Sequence, residues 1–372
     1  YSITNHTPLV LVWLSIFLDV VVVLGLTLGV NPSAGLIWAI SSMLINSSLT
    51  PWNVSLIHPW VLAVLLLQTQ LTHPRRVFLF LLILATATSI HLTLLPLAGI
   101  FFFIALRRIR QISHKFSNYF SYTVALFLPQ LPLILSDFKT SWSNSRAFKD
   151  FLFVRTHIDP PSLFTFGTNF VQKLGATVSR LFVGEPYLVL GLLLIILLVI
   201  FGFRHYKKHP LILPSLLIIA ITFISLWLYR DLDFAEYYFN AMLVPLVILG
   251  GIALARLALL PRGVILAGCI FLNLISLSFA PSPFGLGVKQ QLIRDATPFL
   301  TGRADLQLLL PDYQQFGFAY FLNRAGVSLS PEATRSVVIA PASQEHVSAP
   351  PHTPSVIYQA SRAAFRLVVF SN

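Results

Sequence analysis

The chain has 372 residues, of which 56% are hydrophobic and only 10% charged, with a mean hydropathy of +0.79, a balance that excludes an ordinary soluble domain. Its formal charge of +12 comes without a basic stripe interleaved with aromatics, which argues against nucleic acid as a partner and places the surplus cations in short loops between membrane spans. A single cysteine, Cys269, excludes an intramolecular disulfide or a cysteine-based metal cluster and reads as a small hydrophobe.

Apolar runs long enough to cross or nearly cross a bilayer fall near 9–30, 34–50, 57–72, 77–90, 92–106, 119–135, 187–203, 211–229, 237–255 and 263–280. Basic clusters punctuate them: His73-Pro74-Arg75-Arg76, Arg107-Arg108-Ile109-Arg110 with Lys115, Arg204-His205-Tyr206-Lys207-Lys208, and Arg256 with Arg262. Asp137, Asp150, Asp159, Glu185, Asp231, Asp233 and Glu236 lie in the alternate loops. The positive-inside rule then puts the basic loops in the cytoplasm and the acids outside. A single helix through 77–106 would break that rule, so the stretch is expected to turn near Ser89-Ile90-His91. The expectation is an all-α polytopic membrane protein of about ten segments in the cytoplasmic membrane, with both ends of this chain outside.

Two regions read as non-membrane. Residues 136–186 are polar and aromatic, punctuated by Pro160-Pro161, Gly167 and Gly175, and read as an outer loop long enough for short interfacial helices. After the linker Pro281-Ser282-Pro283-Phe284-Gly285 the apolar runs shorten to strand length at Leu306–Leu310, Val337–Ala340, Val356–Tyr358 and Phe365–Phe370. Helical patterns lie at 288–300 and 313–325. This predicts a transmembrane domain over 1–280 and a small extracytoplasmic α/β domain over 281–372.

Dinucleotide, P-loop, zincin and serine-hydrolase motifs are lacking, so chemistry is sought at the outer ends of the helices. The densest constellation is Arg230-Asp231-Leu232-Asp233-Phe234-Ala235-Glu236-Tyr237-Tyr238-Phe239-Asn240. Arg230 can grip phosphate oxygens in a planar fork, and the hydroxyls of Tyr237 and Tyr238 can position them; an interfacial belt of the same residue types is the plainer alternative. Trp52 and Asn53, in the outer turn Thr50-Pro51-Trp52-Asn53, could stack on and hydrogen-bond a sugar, or simply anchor the turn. His91 reads either as a ligand contact or as a hydrogen-bonded packing residue. Asp19 stands inside the first apolar run, where an unpaired carboxylate costs about 2.5–3.5 kcal/mol. It is therefore expected to be protonated, paired within the bundle, or facing water.

Pro32-Ser33-Ala34-Gly35-Leu36-Ile37, Leu49-Thr50-Pro51-Trp52-Asn53, Leu56-Ile57-His58-Pro59, Ser89-Ile90-His91-Leu92-Thr93, Leu131-Pro132-Leu133-Ile134-Leu135 and Tyr237-Tyr238 with Pro245 occur in an order that resembles the GT-C fold glycosyltransferases. These include the protein O-mannosyltransferases, the aminoarabinose lipid A transferases and the Rgt-type sugar transferases. The resemblance covers roughly residues 9–280. It implies a membrane transferase that moves a hexose or pentose from a polyprenyl-phosphate donor to a glycan, lipid or protein acceptor on the outer face. Arg230, Tyr237 and Tyr238 would hold the phosphate; Trp52, Asn53 and His91 would line the sugar or lipid entrance. In the family the catalytic acid sits in the first outer loop, after the first membrane helix. No helix–loop unit precedes residue 9, so the acid is carried onto no residue and the chain is expected to be a fragment. Some relatives use a divalent metal, but no ligand set or cofactor is identifiable. A secondary transporter is the alternative, and the lack of an internal repeat counts against it.

Overall fold

The computed structural model describes residues 9–48, 53–112, 116–143, 145, 146, 149, 162–229, 236–277, 286–300, 302–310, 318–330, 333, 335–344 and 355–371. The chain divides into two compact units, 1–277 and 278–372.

The first unit is helical. Its elements are α1 (Leu9–Gly29), α2 (Pro32–Ile40), α3 (Ser42–Ser48), α4 (Ile57–Gln68), α5 (Pro74–Ala85), α6 (Ala87–Ile90), α7 (Leu95–Ile112), α8 (Phe116–Phe127), α9 (Leu131–Lys139), α10 (Leu163–Val183), α11 (Leu188–His205), α12 (Ile212–Tyr229), α13 (Asn240–Ala255) and α14 (Leu259–Ser276). Among the described residues four helical stretches are long and apolar enough to cross a membrane: Val12–Gly29, Asn118–Lys139, Leu188–Lys208 and Leu259–Ser276. Ile57–Gln68, Ile212–Leu228 and Asn240–Ala255 are apolar but shorter. Several of the other expected spans are broken by polar or bent backbone.

The breaks have local causes. Asn31 caps α2 by accepting the Ala34 N–H at 3.0 Å, with Pro32 in the first turn. α2 then stops at Ser41, whose backbone is extended, so the run expected over 34–50 becomes two helices. His73 caps α5 through Nδ1, again followed by a proline. α5 and α6 part at Thr86, and the carbonyls exposed there are met by side chains. Trp60 Nε1 donates to Ile83 O at 2.7 Å, Thr86 Oγ1 donates to the same oxygen at 2.7 Å, and Gln130 Nε2 donates to Ala85 O. Irregular backbone at membrane depth survives only when its polar groups are paired in this way.

α13 is the central helix, with residues from Asn240 to Ile252 all buried. It packs on α2, α4, α11 and α12. Gly251 lets it approach the backbone of α2 at Ala34. Asp19 faces the bundle, where it meets the Ser48 hydroxyl at the last position of α3. Of the alternatives open for this carboxylate, the structure shows pairing.

The region read as an outer loop contains α10, a 21-residue helix, longer than the short segments expected. Phe166, Phe170, Leu174, Val178 and Leu181 recur at helical spacing and are buried in the main core, which is what holds the helix down. Gly175 lies at its crossing with α11.

The second unit is α/β. α15 (Leu286–Ala296) and α16 (Phe318–Arg324) accompany β1 (Arg303–Leu308), β2 (Ser328–Leu329), β3 (Arg335–Pro341), β4 (Ser355–Arg362) and β5 (Phe365–Ser371). The sheet order is β2-β1-β3-β5-β4. β1 pairs parallel with β2 and β3, and β5 pairs antiparallel with β3 and β4. β2 was not anticipated; two residues are too short to leave a period. Arg362 on β4 ties the sheet to α15 through Asp295 and Gln291, each at 3.0 Å.

Lys289 of α15 is 4% exposed. Its ammonium lies 5.0 Å from the Phe318 ring centre and 5.3 Å from that of Phe365. Burial pushes its pKa down from 10.5 to about 8. The unfolded chain therefore binds more protons between about pH 8 and 10.5, so the stability of this unit rises with pH across that window and is flat below it. The cation–π attraction of the two rings offsets part of the penalty. Lys289→Met should slow proteolysis of the β3–β5 region of the full chain at pH 7.5, with the advantage shrinking toward pH 10. An unchanged pH dependence in the Met variant would refute this.

Candidate functional site

Basic residues mark one end of the first unit. α5 begins at His73–Arg76, α7 ends at Arg107, Arg108 and Arg110, α11 ends at Arg204 and His205, and α13 ends beside Arg256. Three of the 3-10 turns, Asn53–Leu56, Leu92–Leu94 and Glu236–Phe239, open α4, α7 and α13, so they lie at the opposite ends of those helices. Three interruptions of regular backbone gather where the basic residues are not.

His91 forms the bend between α6 and α7, its backbone extended at φ −164° and ψ 137°. This is the turn expected near Ser89–His91. Its Nδ1 lies 2.8 Å from Thr93 Oγ1 and accepts the Thr93 N–H at 3.3 Å, so the ring is locked by its own turn. Facing it is Tyr238, with ring centres 6.1 Å apart at 67° in an edge-on contact. Two residues 147 positions apart in sequence and singled out separately are thus neighbours. The turn that starts at Asn53 packs on α6, next to His91. Tyr237 belongs to the same turn as Tyr238. The side chains of Asn53 and Tyr237, and all of Trp52 and Arg230, lie outside the described residues.

Tyr238 is followed by Phe239, fully buried, whose ring contacts Phe170 of α10 at 5.5 Å. Phe166, one turn earlier, meets Trp227 of α12 at 5.5 Å. These aromatic contacts set α10 beside the His91–Tyr238 pair. On another face of α10 stand Asn169, Gln172, Lys173, Ala176 and Arg180, which with Pro186 and Leu188 line a cavity of about 450 Å³. Two cations and two amides on one helix face, beside apolar spans, form a seat suited to an oxyanion with an apolar tail. Arg180 also stands in the last turn of α10, where a cation complements the helix dipole.

The sequence reading missed this stripe. Spacing of 3, 4, 7 and 11 from Asn169 was available, but the helix that makes it one face was read as a loop. Among the described residues no group of three or more His, Cys, Asp or Glu is placed to hold a metal.

Comparison with solved structures shows which fold this is. The chain superposes on ArnT from Cupriavidus metallidurans bound to undecaprenyl phosphate with a TM-score of 0.55 and 12% identity, covering 97% of this chain and 83% of that one. Against the same protein in the apo state the TM-score is 0.57 and the identity 13%, with the same coverage. The fold is therefore that of ArnT, as the GT-C resemblance implied. No family model matches the chain, and no curated protein sequence does either.

Proposed function

We propose that the chain is the membrane core of a glycosyltransferase that takes a sugar from a polyprenyl-phosphate donor and passes it to an acceptor at the end of the bundle opposite the basic clusters. The observation that carries this is the cavity along α10, a helix whose opposite face packs on the turn that holds Tyr238, in a fold whose solved counterpart holds undecaprenyl phosphate. In this reading about ten segments, some bent, traverse the cytoplasmic membrane with the basic ends inside.

The chemistry is displacement at the anomeric carbon. The bond from that carbon to the phosphate oxygen breaks, an acceptor hydroxyl or amine forms the new bond, and its proton passes to a general base. No residue of this chain is assigned as that base. Lys173 and Arg180 stabilise the departing phosphate, whose charge grows as the bond breaks. His91 and Tyr238 form the wall against which the sugar is oriented, and Arg230, Tyr237, Trp52 and Asn53 extend that wall by their positions in sequence. The donor sugar is a hexose or pentose; the acceptor is a glycan, a lipid or a protein.

The test is binding of undecaprenyl phosphate to the purified chain in lipid nanodiscs. Tyr238→Phe keeps the ring against His91 and should change affinity less than about threefold if the tyrosine acts through its ring. If its hydroxyl donates to the ligand, the loss should be about 1.5–3 kcal/mol, the scale of a hydrogen bond to a charged group. Tyr238→Ala should weaken binding in either case. Absence of binding by the unmodified chain would overturn the reading, and so would an unchanged affinity in Tyr238→Ala.

A further inference from the structure

Asn273 is a polar residue in the last turn of the apolar helix α14, 1% exposed, and its amide is fully employed. Oδ1 accepts the backbone N–H of Ser42, the first residue of α3, at 2.8 Å. Nδ2 donates to Phe182 O near the end of α10 at 2.9 Å, and to Cys269 O one turn earlier in its own helix at 2.9 Å. Both outside partners are backbone groups that regular structure leaves unpaired. Ser42 follows the extended residue Ser41, and Phe182 is in the last turn of α10, where carbonyls lack intrahelical donors. Gly184, two residues on and just past the end of α10, has φ +83°, and a side chain there would strike Ser276 of α14 and the Ser42 hydroxyl. The chain therefore leaves α10 pressed between α14 and α3.

We infer that Asn273 is a positioning residue: from outside the site it sets where the end of α10, and with it Arg180, stands relative to α3. This rests on the α10 cavity as the seat of the lipid phosphate. The argument is one of reach. Arg180 and Phe182 share the last turn of α10, so a shift of the Phe182 carbonyl carries the guanidinium with it. Deleting the amide leaves two buried backbone groups in an apolar setting, and they pair again only if the helix ends move. A side chain whose sole task was to fill space in α14 would not need an acceptor and a donor aimed at two different elements.

The test separates the clamp from the reading it rests on. With Cys269→Ala as background, spin labels at Val171 of α10 and Leu260 of α14, both exposed, report the distance between the two helices by pulsed electron resonance. Asn273→Leu, which keeps the branched heavy-atom skeleton without the polar atoms, should shift or broaden that distance distribution and lower the affinity for undecaprenyl phosphate at least tenfold. Asn273→Asp keeps the acceptor for Ser42 but lacks the amide donor to Phe182, so it should resemble Asn273→Leu on both readouts rather than the unmodified chain. An unchanged distance in Asn273→Leu overturns the inference, and so does a shifted distance with unchanged affinity. If the unmodified chain binds no undecaprenyl phosphate, the proposed function fails while the distance arm still decides whether Asn273 places α10. Should Asn273→Leu not assemble, the Asp variant alone decides by the same two readouts.

Discussion

Gly191→Ala should abolish the assembled fold or lower its stability by upwards of about 4 kcal/mol, the tail of single-substitution effects. A methyl group at Gly191 would lie 1.8 Å from Gly175 O, 2.6 Å from its carbonyl carbon and 2.9 Å from its Cα. All three atoms are backbone, so no side chain can swing aside and the two helices must separate. Gly175→Ala meets Leu188 in the same way, including its carbonyl at 2.7 Å. Paired small residues allow this kind of close crossing between membrane helices, and here they join α10 to α11 beside the candidate cavity. Gly263→Ala on α14 is the control. Nothing lies within 4 Å of its added methyl, so it should gain about 0.4–1 kcal/mol from the stiffer unfolded chain. Thermal unfolding and the monodisperse fraction in detergent check both variants, and wild-type behaviour of Gly191→Ala would mean that the α10–α11 crossing is placed wrongly.

Replacing both cations of the α10 stripe should have the largest effect on ligand binding. Each hydrogen bond from a charged donor to phosphate contributes about 1.5–3 kcal/mol, so Lys173→Gln combined with Arg180→Gln should weaken undecaprenyl phosphate binding by more than about a hundredfold. Lys173 and Arg180 are two helical turns apart, and long side chains from those positions can converge on one phosphate between them. Arg180→Lys should recover part of the loss, since an ammonium keeps the charge but not the planar fork. The double variant should still fold, because the buried face of α10 is untouched. Affinity within threefold of the unmodified chain would remove the stripe from the site.

Some of this was readable without any structure. Composition demanded a membrane protein, because hydrophobic runs interrupted by cations have no other stable environment. Placing basic clusters on both sides of residues 77–106 required a turn near His91, and the chain turns there. The strand-length runs after residue 300 gave the α/β unit, since alternation is a local signal. The cost of Asp19 left it protonated, paired within the bundle or facing water, and nothing local could say that it would meet Ser48.

The rest depended on groups distant in sequence. His91 and Tyr238 were each identified by residue type, but their edge-on contact joins helical interruptions 147 residues apart. The break at Ser41 has no proline or glycine to announce it; its unpaired N–H group at Ser42 is met by Asn273, 231 positions away. α10 was hidden because Gly167, Gly175 and nearby polar residues resemble a loop when read in order. Only the packing of Phe166, Phe170 and Leu174 into the core, and the crossing at Gly191, show why a helix is the stable form. Sequence determines which groups cannot face lipid unpaired; tertiary structure decides which distant group pairs with each, because hydrogen bonds and close backbone contacts extend only a few ångströms and belong to the folded chain.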